Sequence, residues 1–141
     1  MDLNKAQWGI LSKTLVPINL HPRFDSEMAD EGLYGMVVNI LEDKGDNWYY
    51  IKTHYNYYGY IHGSNMIMDD VEAKKWMDNA DKVIYHSVVD VMSDASYKGY
   101  VKKVLTRGAT VIATGEEKDN WTEIQLADKS TGWVRTSFIG D

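Results

Sequence analysis

Cysteine is absent from this 141-residue chain, and so is any apolar run of membrane length. Without cysteine the residues given cannot form a disulfide, a thiolate nucleophile or a cysteine metal site. The segment from Met1 to Lys13 contains only the short apolar run Trp8–Leu11, which is too short for the core of a signal peptide. We therefore expect no membrane span. The compartment stays open, since exported proteins can also lack cysteine.

Excess positive charge is also missing. The formal net charge is −6 and no basic stripe occurs, so we expect no nucleic-acid partner. The chain has no glycine-rich phosphate loop and no arrangement that indicates a nucleophile with its base. Its four histidines lack the spacing of metal ligands. We expect no catalytic residue, no metal and no cofactor. The four histidines are His21, His54, His62 and His86.

What the chain does contain is an internal repeat at one gap-free offset. Asp46-Asn47-Trp48 returns as Asp119-Asn120-Trp121, and 121 − 48 = 73. A repeat of this kind predicts two copies of one small module, each of about 55 residues, near the lower limit for independent folding. The same offset relates Val16 to Val89, Ile18 to Val91, Gly35 to Gly108, Val38 to Val111, Ile51 to Ile124, Gly59 to Gly132, Tyr60 to Trp133, Ile61 to Val134 and Ser64 to Ser137.

Each copy has the pattern of a β-domain. Short β-branched runs follow Gly35 and Gly108, and polar turns recur about every ten residues, which is typical of a small barrel. The segment between the copies favours a short helix capped by Asp69 or Asp70, with an apolar edge of Trp76, Met77 and Val71. We expect an all-β protein of two small SH3-like barrels joined by a connector helix. The expected domains are residues 14–68, 69–82 and 83–141.

The repeated motif resembles tandem bacterial SH3 (SH3b) domains. The first copy contains Gly35, Asp46-Asn47-Trp48, Gly59-Tyr60-Ile61 and Ser64, and the second contains the matching residues at the offset of 73. The acidic and tyrosine-rich signature of eukaryotic SH3 domains is absent. The resemblance therefore does not imply binding of proline-rich peptides.

A narrower resemblance concerns the first copy. Pro22-Arg23-Phe24-Asp25-Ser26-Glu27-Met28, followed by Gly35 and a tyrosine-rich turn, is similar to the first SH3b domain of NlpC-type γ-D-glutamyl-L-diamino acid endopeptidases. Those enzymes cleave cell-wall peptides with a papain-like Cys-His domain that follows two SH3b domains. That domain would begin about where this chain ends. The resemblance implies a cell-envelope or extracellular setting, peptidoglycan or a muropeptide as partner, and a cysteine peptidase domain as neighbour.

The candidate site lies in the first copy. Tyr55, Tyr57, Tyr58 and Tyr60 are too densely placed for a small barrel to bury all of them, and exposed tyrosines suit stacking on sugars or gripping of peptides. The resemblance further implies that Glu27 and Tyr57 hold the free amine of a muropeptide. The alternatives are that the tyrosines pack against the helix or the other copy, and that Glu27 is an ordinary solvated residue.

The two copies also differ in charge. Residues 14–68 carry three basic and seven acidic residues, giving −4, whereas residues 83–141 carry seven and eight, giving −1. The difference is consistent either with separate functions or with drift of solvated surfaces. We expect a non-catalytic module that recognises peptidoglycan peptide or glycan and positions it for a peptidase domain. The alternative is a protein–protein interaction module that uses the tyrosine-rich surface.

Overall fold

The computed structural model describes residues 5–141. Met1 to Asn4, the start of the segment considered above for a signal peptide, lie outside the described residues. The chain forms two seven-stranded antiparallel sheets with one helix between them, which confirms the expected all-β class with a connector helix. None of the helices in residues 5–141 is long and apolar enough to cross a membrane.

We call the first sheet module 1 and the second module 2. The strands of module 1 are β1 (Trp8–Leu11), β2 (Leu15–Asn19), β3 (Met28–Leu33), β4 (Val37–Gly45), β5 (Trp48–Lys52), β6 (Tyr58–His62) and β7 (Met66–Met68), with a 3₁₀ turn at Gly63–Asn65. The helix is α1 (Asp70–Asn79). The strands of module 2 are β8 (Lys82–Ile84), β9 (Val88–Met92), β10 (Val101–Thr106), β11 (Thr110–Lys118), β12 (Trp121–Gln125), β13 (Thr131–Arg135) and β14 (Ile139–Gly140), with a 3₁₀ turn at Thr136–Phe138.

The two modules share one topology, as the repeat predicts. The order in module 1 is β3-β2-β6-β5-β4-β1-β7, and the order in module 2 is β10-β9-β13-β12-β11-β8-β14, which is the same order shifted by seven strands. Trp48 pairs with His62 in module 1, and Trp121 pairs with Arg135 in module 2. Both tryptophans are buried. The division at 14–68, 69–82 and 83–141 stays a proposal, and the first sheet also includes β1, ahead of residue 14.

The connector helix begins as the sequence indicates. The Asp69 side chain accepts a hydrogen bond from the Glu72 backbone N–H at 2.9 Å, which satisfies one of the free donors of the first turn. The predicted apolar edge is only partly right. Trp76 is buried, but Val71 and Met77 are 62% and 51% exposed, and the second buried residue is Ala73. Residues three apart share one helix face, so Ala73 and Trp76 together contact the modules.

The hydrophobic core is divided unequally. Seven buried side chains of module 1, among them Val16, Val38 and Ile51, form a cluster of their own. A larger cluster combines the core of module 2 with the helix and with two residues of module 1, Ile10 and Tyr34. The modules are therefore joined by packed side chains as well as by the connecting chain.

Candidate functional site

The turn between β5 and β6 positions the first two candidate tyrosines. Thr53 closes this turn, because its backbone N–H donates to the Tyr57 carbonyl at 2.8 Å and its hydroxyl accepts from the Tyr57 backbone N–H at 3.0 Å. Asn56 has φ of 63°, a left-handed conformation that asparagine tolerates better than most residues. The turn thus holds Tyr55 and Tyr57 outward, each 42% exposed, with ring centroids 6.2 Å apart.

The carboxylate of Asp30 contacts the first of these two tyrosines, Tyr55. The Tyr55 hydroxyl donates to Asp30 Oδ2 at 2.7 Å, while Asp30 Oδ1 accepts from the Glu31 backbone N–H at 2.8 Å. Desolvation, and then the hydrogen bond to Asp30, raise the pKa of the Tyr55 phenol to about 12, so the phenol stays a donor at neutral pH. We call Asp30, Tyr55 and Tyr57 the acid–phenol cluster.

Glu27 lies apart from this cluster. It is exposed in the loop between β2 and β3, and its backbone carbonyl accepts hydrogen bonds from the Leu20 backbone N–H and the Ser26 hydroxyl. Its carboxylate has no hydrogen-bond or ion-pair partner among residues 5–141. The predicted partnership of Glu27 with Tyr57 is therefore not among the contacts of the described chain, and the role of Glu27 stays a prediction.

The other two candidate tyrosines form a different surface. Tyr58 and Tyr60 alternate on β6 with the buried residues Gly59 and Ile61, so they project from the outer side of the sheet. Tyr50 on β5 lies between them, 6.0 Å from the Tyr58 ring centroid and 5.0 Å from that of Tyr60. We call these three residues the tyrosine face. The structure thus divides the four predicted tyrosines between two surfaces.

Sequence reasoning missed Asp30 and Tyr50. The repeat contained a signal for Asp30. At the offset of 73, Asp30 corresponds to Lys103 and Tyr55 corresponds to Asp128. The first copy therefore has an acid and a phenol where the second copy has a base and an acid. Tyr50 could have been found from the hairpin that β5 and β6 form. Its register places Tyr50 directly opposite Tyr60. Tyr60 and its counterpart Trp133 are both partly exposed.

Module 2 uses the region equivalent to the acid–phenol cluster for internal packing. Lys103 Nζ donates to the Ser12 carbonyl at 2.9 Å and lies 4.9 Å from the centroid of the Tyr34 ring. Desolvation lowers the pKa of Lys103, with the charge of Lys13 acting in the same direction. Of these two equivalent regions in the described chain, the one in module 1 combines a carboxylate with phenols and the one in module 2 does not. No group of three or more His, Cys, Asp or Glu side chains suited to a metal ion occurs within residues 5–141.

Comparison with known proteins agrees with this fold. Residues 21–65 match the family model described as the bacterial dipeptidyl-peptidase SH3 domain. This segment includes Asp30 and all four candidate tyrosines. The match confirms the resemblance to bacterial SH3 domains that the sequence motifs indicate.

Two relatives extend the similarity over most of the chain. Dipeptidyl-peptidase 6 of Lysinibacillus sphaericus is 29% identical over 134 residues, covering 93% of this chain and 49% of that protein. An NlpC/P60 family protein from Bacillus cereus has a similar structure with a TM-score of 0.72 at 11% identity, covering 94% of this chain and 55% of that one. The second likeness concerns the fold alone. The chain spans about half the length of each of these relatives.

Proposed function

We propose that this chain is a non-catalytic unit that recognises bacterial cell-wall peptide and, within a longer protein, positions it for a peptidase domain. The observation that carries the proposal is the acid–phenol cluster. Asp30 keeps lone pairs available beside two half-exposed phenols, and a carboxylate with phenol oxygens suits a peptide ammonium. The excess of acidic residues in residues 14–68 attracts a cationic ligand to the same module.

The similarity to a dipeptidyl-peptidase supports the choice of ligand class. A peptidase that removes dipeptides has to recognise the free end of its substrate, and the acid–phenol cluster offers the chemistry for a free amine. The described residues include no cysteine, so a thiolate nucleophile would belong to another domain. We therefore assign the chain the role of an accessory domain.

The test is calorimetric titration of the purified chain with the tripeptide L-Ala-γ-D-Glu-diaminopimelate. The matched control ligand is the same tripeptide with its alanine amine acetylated, which removes the charge at that end and leaves the diaminopimelate ammonium in both ligands. We expect the free-amine peptide to bind at least ten times more tightly, because a charged donor strengthens a hydrogen bond to a carboxylate. Equal affinity of the two peptides, or no binding of either, would contradict the proposal.

The tyrosine face favours a second candidate function, binding of a protein partner. Tyr58 is 46% exposed and stacks on Tyr50, and exposed aromatic surface is common at protein interfaces. Sedimentation with purified peptidoglycan separates the two functions. A cell-wall module cosediments with peptidoglycan from which proteins have been stripped, whereas a module that binds only a protein stays in the supernatant.

A further inference from the structure

A small groove lies in module 1 beside Trp48, and it shares no lining residue with the acid–phenol cluster. It has a volume of about 150 Å³ and opens between the loop that follows β2 and the paired ends of β5 and β6. We call it the aromatic groove. Its lining residues are Pro17, Asn19, Phe24, Ser26, Met28, Trp48, His62 and Asn65.

Three aromatic rings form one wall of the aromatic groove. The Phe24 ring lies 5.0 Å from the Trp48 ring and 4.8 Å from the His62 ring, measured between centroids. Phe24 is nevertheless 74% exposed, and Met28, which also lines the groove, is 55% exposed. Apolar side chains that remain in water at the rim of a cavity are typical of a binding surface, since their burial by a ligand is favourable.

The loop that carries Phe24 is held in place by its own hydrogen bonds. The Asn19 amide donates to the Arg23 carbonyl at 3.1 Å, and the Ser26 hydroxyl accepts from the His21 backbone N–H at 3.0 Å. The aromatic groove is thus formed before any ligand arrives. A preformed site avoids part of the entropy cost of ordering a loop on binding.

Two side-chain amides lie among the polar groups of the aromatic groove. The Asn19 amide oxygen and the Asn65 side-chain amide have no hydrogen-bond partner within the described part of the chain. His62 Nδ1 lies 2.7 Å from the Ser64 hydroxyl and also accepts from the Ser64 backbone N–H at 3.3 Å, which fixes the imidazole ring beside the groove. Amide acceptors and amide donors suit a ligand that itself contains an amide.

Module 2 fills the corresponding place with its own cation. Arg135, the counterpart of His62, lies over the Trp121 ring at 5.6 Å, and Tyr97, the counterpart of Phe24, packs on Trp121 at 4.8 Å. Met92 and Phe138 stand where module 1 has Asn19 and Asn65. Module 2 therefore lacks both amides, and the polar character of the aromatic groove belongs to module 1.

We propose that the aromatic groove binds the N-acetylated amino sugar of a cell-wall glycan. This ligand has both an apolar surface and an amide, which match the apolar side chains and the two amides of the groove. Its acetamido methyl and the C–H face of its ring pack on Phe24 and Met28, and its amide pairs with Asn19 and Asn65. The volume suits one acetamido group or one sugar ring and is too small for a folded protein partner. The inference rests on the proposed cell-wall function and adds a glycan subsite separate from the acid–phenol cluster.

The experiment is titration of the purified chain with N,N′,N″-triacetylchitotriose, followed by heteronuclear NMR. The comparison ligands are chitotriose, which lacks the acetyl groups, and cellotriose, which has hydroxyls in their place. We expect the acetylated trisaccharide alone to bind, with shifts in the Trp48 indole and His62 signals. Phe24→Ala should weaken binding at least tenfold, since Phe24 is exposed and its loss leaves the core intact. The matched control Tyr97→Ala, at the equivalent position of module 2, should leave affinity within twofold.

The outcomes separate this inference from the proposed function. If the free-amine tripeptide binds but the acetylated trisaccharide does not, the glycan subsite is refuted and the peptide site stands. If the trisaccharide binds and the tripeptide does not, the aromatic groove stands and the peptide site is refuted. Equal binding of acetylated and deacetylated sugars would overturn the inference, as would equal losses with Phe24→Ala and Tyr97→Ala. Asn65→Ala gives a second check, with an expected loss of acetyl selectivity.

Discussion

The Ala127 backbone N–H of module 2 donates a hydrogen bond to the Tyr34 hydroxyl of module 1 at 2.8 Å. Tyr34 is 2% exposed and belongs to the core cluster of module 2. The Tyr34 carbonyl also accepts from the Thr110 backbone N–H at 3.1 Å, and the Trp76 indole N–H donates to the Gly35 carbonyl at 2.8 Å. One short segment of module 1 thus contacts both module 2 and the helix.

Tyr34→Phe should lower the free energy of unfolding by about 1–3 kcal/mol, because it leaves the buried Ala127 N–H without its acceptor. Denaturation in urea measures the change. Tyr97→Phe is the control, since Tyr97 is 60% exposed and removal of its hydroxyl should have little effect. Equal changes in the two variants would show that the Tyr34 hydroxyl contributes nothing across the interface.

The stability of the protein should fall above pH 10. Desolvation raises the pKa of the Tyr34 phenol from 10.0 to about 12. The stabilisation is therefore complete below pH 10 and is lost as pH rises through about 12, since the unfolded chain releases the phenol proton first. The shift corresponds to roughly 3 kcal/mol at most. Thermal melts from pH 9 to 12 should show a smaller decline for Tyr34→Phe than for the wild type.

Gly35→Ala should be more damaging than Gly45→Ala. The two glycines have φ of 85° and 87°, so an alanine is strained at either position by about 1–2 kcal/mol. A Cβ at Gly45 meets nothing within 4 Å, whereas a Cβ at Gly35 would lie 2.6 Å from the Thr110 carbonyl oxygen. The crowding should add about 1–3 kcal/mol at Gly35. Similar destabilisation of both variants would mean that the modules can separate slightly without cost.

Asp30→Asn should weaken binding of the free-amine tripeptide by about 1–3 kcal/mol, because it removes the charge opposite the ammonium. Binding to the wild type should also weaken with added salt. Glu27→Gln tests the carboxylate indicated by the family resemblance. We expect it to change affinity less, since Asp30 is the carboxylate that contacts Tyr55. A larger loss with Glu27→Gln would move the amine site to the loop between β2 and β3.

The free energy of unfolding of Asp30→Asn should be measured together with its peptide affinity. Asp30 accepts hydrogen bonds from the Tyr55 hydroxyl and the Glu31 backbone N–H. The substitution therefore changes the contact with the turn between β5 and β6 as well as the charge. Tyr55→Phe removes the hydroxyl bond while retaining the carboxylate. If Tyr55→Phe is as stable as the wild type and Asp30→Asn alone loses peptide binding, the loss is due to the missing charge.

The sequence by itself determined the repeated topology, because the signals for it are local. Glycines at turns, alternating apolar residues and the Asn-Trp strand starts recur at one offset. The two copies therefore form the same series of hairpins. The helix start is equally local, since Asp69 caps a donor only three residues away. The burial of Trp48 and Trp121 follows from their positions at the paired strand starts.

Only the tertiary structure decided which carboxylate meets the tyrosines. The register of β2 and β3 shifts between Ile18 and Asn19, opposite Asp30 and Met28, and a shift of one residue exchanges the faces of a strand. We found no sequence pattern that indicates this bulge. The bulge lies next to Asp30, whose carboxylate contacts Tyr55, 25 residues further along the chain. The burial of Tyr34 was equally unpredictable, because its neighbours belong to the other module, and contacts between modules depend on how two finished surfaces pack.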